Sequence, residues 1–283
     1  NQIKSPLILL TVFLTGACVL VIEIAATRIL APYFGNTIYT TSSVIGVVLA
    51  ALSIGYYIGG KIADRYPFYQ IFYLIIFISG FLTVLIHFQE KSFLTVLSLL
   101  FPITTGSILS SVLLFLIPSF ALGTLSPFAI KLHEKSFSEA EVSKKIGSHS
   151  GKILFWSTAG SIAGSFSAGF YLIPSFGLSA IIISTGIILN ILGIAGLLLF
   201  RAFTKKVFII ILAFCLAEAA ILFLTPKETR FVYEKDGLYE KIGILEREWN
   251  GHPTRFLYQD RSWSSAAFLD SEEMAFEYTK YYR

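Results

Sequence analysis

Two carboxylates, Glu23 and Glu218, interrupt runs of apolar residues, in "VIEIAATRIL" and "FCLAEAAILF". An ionisable group in such a run costs on the order of 3 kcal/mol or more at the centre of a bilayer, so it marks a candidate proton or cation site. A buried hydrogen-bond partner that fixes helix packing accounts for Glu23 equally well. Arg28 follows Glu23 by five residues, about 140° round a helix, which places the two poorly for a direct bond. Its long side chain can instead reach the membrane interface near Pro32. A third feature is "GGKIADR". Gly59 and Gly60 allow a tight approach there, and Asp64 and Arg65 can cap and pair across a short loop. His87, His133, His149 and His252 are scattered, and Cys18 and Cys215 lie in apolar runs without a CxxC spacing, so no metal site is expected.

The elements that carry these residues must be membrane helices. The chain has 283 residues, of which 55% are hydrophobic and 14% charged, with mean hydropathy +0.72. Soluble chains carry about 25% charged residues. The deficit is uneven: residues 1–226 hold 13 Lys/Arg and 7 Asp/Glu, whereas 227–283 hold 9 and 11. Such a step separates a part built for lipid from a part built for water. The chain starts at Asn1 rather than Met, which suggests a missing N-terminus, and the first apolar run is too long for a signal-peptide core. No basic patch with interleaved aromatics occurs, so nucleic acid is not an expected partner.

Stretches long enough to span lie near 6–30, 41–60, 68–88, 107–131, 153–173, 178–200 and 206–225. The segment 92–104, broken by Pro102, reads as an eighth span, a re-entrant piece or part of a kinked helix. The expected fold is therefore a polytopic, mainly α bundle of seven or eight transmembrane helices in the cell's inner membrane. Seven spans put the basic connections 61–65, 131–152 and 201–206 in the cytoplasm and the tail outside; eight put the tail inside and expose two basic loops. Gly55–Gly59 and Gly160–Gly164, each four apart, offer faces for close helix packing or for a substrate path.

The tail changes period. "RFVYEKD" and "LYEKIGILERE", separated by Asp236–Gly237, predict a hairpin. "NGHP" at Asn250–Pro253 predicts a second turn, before "TRFLYQD" and a third short strand, "SWSSAAFL". "DSEEMAFEYTKYYR" predicts a terminal helix, capped by Asp270 with Glu273, with Met274, Tyr278 and Tyr281 on one face. So small a sheet needs a partner or more chain to bury a core.

Several of these stretches resemble known proteins. "GGKIADR" is similar to the loop signature of major facilitator transporters. "GACVLVIEIAATRILAPYFGNTIYTTSSVIGVVLAALSIGYYIGGKIADR" resembles the opening of fused major-facilitator/spermidine synthase proteins, and "FLIPSFALGTLSPFAIKL" and "STAGSIAGSFSAGFYLIPSFGL" resemble their later spans. "RFLYQDRSWSSAAFLDSEEMAFEYTKYYR" is similar to the N-terminal β-hairpin piece of a polyamine aminopropyltransferase. The resemblance implies a membrane domain over 1–226 and an incomplete spermidine synthase-like segment over 227–283. It also implies a methyltransferase-like catalytic domain following Arg283, with decarboxylated S-adenosylmethionine as co-substrate, no metal, and a homo-oligomer formed through the tail.

By position, Tyr278 matches the family tyrosine lining the amine site, and Asp260 keeps the family Asp. Ser264 and Thr279 stand where the family has Gln and Gln or His, Arg261 replaces a Gly, and Glu240 stands where some members have a substrate-contacting Gln. These departures leave the amine open. The expected activity is aminopropyl transfer to a polyamine such as putrescine by the full-length protein, with this segment alone inactive. The alternatives are a transporter of a cationic small molecule such as a polyamine, and an anchor whose tail only mediates assembly.

Overall fold

The computed structural model describes residues 4–135, 137, 139–224, 231–237, 240–260, 262–271 and 275–278. The chain forms α1 (Lys4–Phe34), α2 (Ile38–Arg65), α3 (Tyr69–Leu100), α4 (Ile103–Gly123) and α5 (Leu125–Glu134). After these come α6 (Glu139–Ser167), a π-helical turn (Ala168–Leu172), α7 (Ile173–Phe176), α8 (Leu178–Leu199) and α9 (Lys205–Leu224). Among the described residues five segments are long and apolar enough to cross a membrane: Ser5–Phe34, Ile38–Arg65, Tyr69–Leu100, Ile103–Glu134 and Leu178–Leu199.

Prolines set the breaks. The segment 92–104 is no separate span: α3 runs on to Leu100, and Pro102 is the N-cap of α4. Phe101, just before the proline, is held extended at φ −126° and ψ 144°, as steric conflict with the proline ring requires. Pro127 cannot donate to the carbonyl of Gly123, and the helix axis breaks there, between α4 and α5. Pro174 likewise cannot bond back to Phe170, and the widened π turn lies immediately before it.

The helices pack in three tight pairs, each closed by glycine. A methyl group on Gly160 of α6 would fall 1.9 Å from the Phe13 carbonyl oxygen of α1, and one on Gly164 would fall 2.3 Å from that of Ala17. In the α2–α4 pair, a methyl group on Gly55 would fall 2.5 Å from the Phe120 carbonyl oxygen. In the α3–α8 pair, one on Gly80 would fall 2.6 Å from the Gly186 carbonyl oxygen. These are backbone-on-backbone contacts, which supply van der Waals cohesion where lipid removes the hydrophobic drive between helices.

The tail forms a four-stranded antiparallel meander, β1 (Tyr233–Asp236), β2 (Lys241–Trp249), β3 (His252–Gln259) and β4 (Ser262–Phe268), in chain order. The first hairpin closes through four residues rather than a two-residue Asp-Gly turn, with Gly237 N donating to the Glu240 carbonyl at 2.9 Å. Asn250 and Gly251, at φ 54° and 81°, form the tight second turn between Trp249 and His252, the geometry that a two-residue hairpin needs. One sheet face carries Phe256, which is fully buried, with Trp249, Trp263 and Tyr258 around it. The Arg247 guanidinium lies 4.0 Å above the Trp263 ring, a cation–π contact.

The expected terminal helix is not formed among the described residues. Residues 275–278 make a bend and a short 3₁₀ turn against the sheet instead. Ala275 N donates to the Ala266 carbonyl at 2.9 Å, and the Phe276 ring approaches Phe256, so these residues are taken up by the sheet. Asp270 accepts from His252 Nδ1 at 2.7 Å rather than capping a helix. Glu273, Met274, Thr279 and Tyr281 lie outside the described residues.

The glycine contacts make a direct prediction. Replacing Gly160 by Leu should force α1 and α6 apart and lower stability in detergent by about 2 kcal/mol or more. Gly147 of the same helix has open space around it, so Gly147→Ala should be neutral or stabilising by up to about 1 kcal/mol. Thermal unfolding of both variants in micelles checks the contrast.

Candidate functional site

The strongest polar arrangement inside the bundle joins α8 and α9. Asn190 Nδ2 donates to both carboxylate oxygens of Glu218, at 2.9 and 3.2 Å. Both residues are buried, and the Asn190 carbonyl oxygen has no partner among the described residues and faces Gly80 of α3. Only glycine at position 80 leaves room for the amide. Asn190 escaped the sequence reading, although an amide within a long apolar helix is itself a signal of a buried partner.

Glu23 is placed differently. It is half-buried on α1 and makes no hydrogen bond or ion pair among the described residues. It stands one helical turn beyond Val19 and Leu20, which line a cavity of about 80 Å³ between α1, α2, the α4–α5 segment and α6. Thr15, Tyr56, Ser126, Ser157 and Ser161 give this cavity a polar wall. A space of this size and polarity suits a water or a small cation.

Arg28 does not pair with Glu23. Its Nη2 donates to the Gly237 carbonyl at 2.9 Å, which ties the end of α1 to the β1–β2 loop. Asp64 of the "GGKIADR" stretch accepts from Lys131 Nζ at 2.9 Å, linking α2 to α5. Gly59 packs against Thr124, whereas Gly60 has space around it. Arg65 lies over the Tyr66 ring, not over Asp64.

In the tail, Glu240 and Asp260 come together at one end of the sheet, before β2 and after β3. Gln259 Nε2 donates to Glu240 at 2.8 Å, and Lys241 N donates to Asp260 at 2.9 Å. Asp260 adopts φ 52° to make this closure. Tyr278 lies elsewhere, its hydroxyl donating to the Ser264 carbonyl. Thr279 and Arg261 lie outside the described residues. His133 and His149, far apart in sequence, bring their rings to 5.5 Å with Phe137 beside them. Among the described residues no group of three or more His, Cys, Asp or Glu could hold a metal.

The Asn190–Glu218 pair is open to a double-mutant cycle. Asn190→Leu alone strands a buried carboxyl, so it should cost more than the same change in a Glu218→Leu background. The expected coupling is about 1–3 kcal/mol, read from unfolding in micelles.

Comparison with family models, with curated proteins and with solved structures gave no match.

Proposed function

We propose that the chain is the membrane domain and leading sheet of a spermidine synthase-like aminopropyltransferase. The observation that carries this reading is the succession of parts: a bundle of apolar helices passes directly into an antiparallel meander with Glu240, Gln259 and Asp260 at one end. The chemistry attributed to such a protein is attack of a polyamine nitrogen on the carbon beside the sulfonium of decarboxylated S-adenosylmethionine. Carboxylates must hold the cationic amine, and one nitrogen must lose its proton before it attacks. Glu240 and Asp260, at the shared end of the sheet, are the residues of this chain that the reading places near the amine.

The reading takes seven helical passes through the inner membrane: the five long apolar segments, the α6–α7 unit and α9. Lys4, Lys61, Arg65, Lys131, Lys135, Lys144, Lys145, Lys152, Arg201, Lys205 and Lys206 then fall at one end of the bundle, with Arg28 and Lys91 toward the other. The basic end faces the cytoplasm by the positive-inside preference, and the sheet stands at the opposite face. The test is a sidedness assay on membrane vesicles holding the protein expressed from its source gene. Aminopropyl transfer to putrescine should occur when decarboxylated S-adenosylmethionine is supplied to the face carrying the sheet. Absence of transfer to putrescine and related amines from either face sinks the proposal.

The polar cavity beside the Glu23 face of α1 favours a second reading, passage of a cationic amine through the bundle. Glu23→Gln should then cut uptake of labelled putrescine into proteoliposomes at least tenfold, with the protein still inserted and folded. Unchanged uptake removes this reading and leaves the first intact.

A further inference from the structure

The cavity of about 80 Å³ beside α1 carries hydroxyl residues from three helices: Thr15 of α1, Ser126 of α5, and Ser157 and Ser161 of α6. We propose that it binds one partly dehydrated alkali cation the size of sodium, held by neutral oxygens.

Three observations converge on a cation. The first is where the hydroxyl protons go. Thr15 Oγ1 donates to the Thr11 carbonyl at 3.0 Å, and Ser161 Oγ donates to the Gly16 carbonyl at 3.0 Å. A hydroxyl whose proton is committed has only lone pairs left to offer. The second is the broken helix. Leu122, in the last turn of α4, and Leu125 and Ser126, which open α5, all line the cavity, so the α4–α5 break lies against it. Pro127 has no N–H for the Gly123 carbonyl, and the final carbonyls of a helix carry its negative end. Interrupted membrane helices hold sodium at such ends, with oxygens of the chain replacing water. The third is charge. Glu23 stands four residues beyond Val19, one turn along the α1 face that lines the cavity, and the lining itself holds no Lys or Arg. Nor does the lining hold a carboxylate. Divalent ions are bound through carboxylates, so a neutral oxygen wall suits a monovalent one. One water needs on the order of 10–15 Å³, which leaves room here for an ion with a water still attached.

As a station for cations inside the bundle, the site rests on the passage reading. Sodium binding is measured without any amine, however, so it can be present where putrescine uptake fails, and absent where uptake occurs. The measurement is thermal unfolding of the whole chain in micelles, in sodium chloride and in choline chloride of equal ionic strength. Sodium should raise the midpoint saturably, by on the order of 3 °C at ten times its dissociation constant. Ser126 makes no side-chain hydrogen bond among the described residues. Ser126→Ala should therefore unfold like the parent in choline and bind sodium about tenfold more weakly, the loss expected of one contact to a charged group. Thr15→Val with Ser161→Ala should abolish the response. Because that pair also removes bonds to backbone carbonyls, binding of radioactive sodium to the parent is read in parallel, and putrescine should not displace it. Equal midpoints in the two salts would show a cavity that holds water alone and would overturn the proposal. An unaltered sodium response in Ser126→Ala, or displacement of the bound sodium by putrescine, would overturn it as well.

Discussion

Close approach of helix backbones is the constraint on which this molecule depends. Apolar side chains gain little by leaving lipid for one another, so cohesion has to come from contact distance and shape. Gly160 and Gly164 against α1, Gly55 and Gly59 against the α4–α5 segment, and Gly80 and Gly186 between α3 and α8 supply it. The same shortness of reach explains where polar groups survive. Asn190 fits against α3 because Gly80 has no side chain, and only then can the amide turn its nitrogen to Glu218. Packing and polarity in the bundle are thus one arrangement.

The sheet is held to the bundle by a small number of directed contacts. Within itself it is a thin layer, with Phe256 and Thr254 fully buried on one face and the chain at 275–278 laid across it. Among the described residues it meets the bundle through Arg28 and where α7 approaches β1.

Local periodicity made the long apolar helices and the strands legible, because apolar runs and alternating residues carry their own signal. The end of α3 was not legible: His87, Glu90 and Lys91 look like the close of a span near residue 88, yet the helix continues to Leu100 because a helix needs no apolar residues to persist. Nor were the partnerships legible. Asn190–Glu218, Arg28–Gly237 and His133–His149 each join different elements, and spacing along a chain carries no information about which helices become neighbours. The terminal helix was misread because its capping pattern is local, whereas Ala275 bonds to a strand edge formed earlier in the chain. Of the tail residues singled out, Glu240 and Asp260 meet at one sheet end, and Tyr278 stands apart with Ser264.

The contact between Arg28 and Gly237 also has a place in time. The two residues are 209 positions apart, so at a synthesis rate of about 5–20 residues per second the carbonyl emerges roughly 10–40 s after the guanidinium. In that interval α2 to α9 are made. The bond closes a loop of 209 residues that contains all of them. It can therefore form only after α2 to α9 have been made, and it couples the β1–β2 loop to the first helix of the chain.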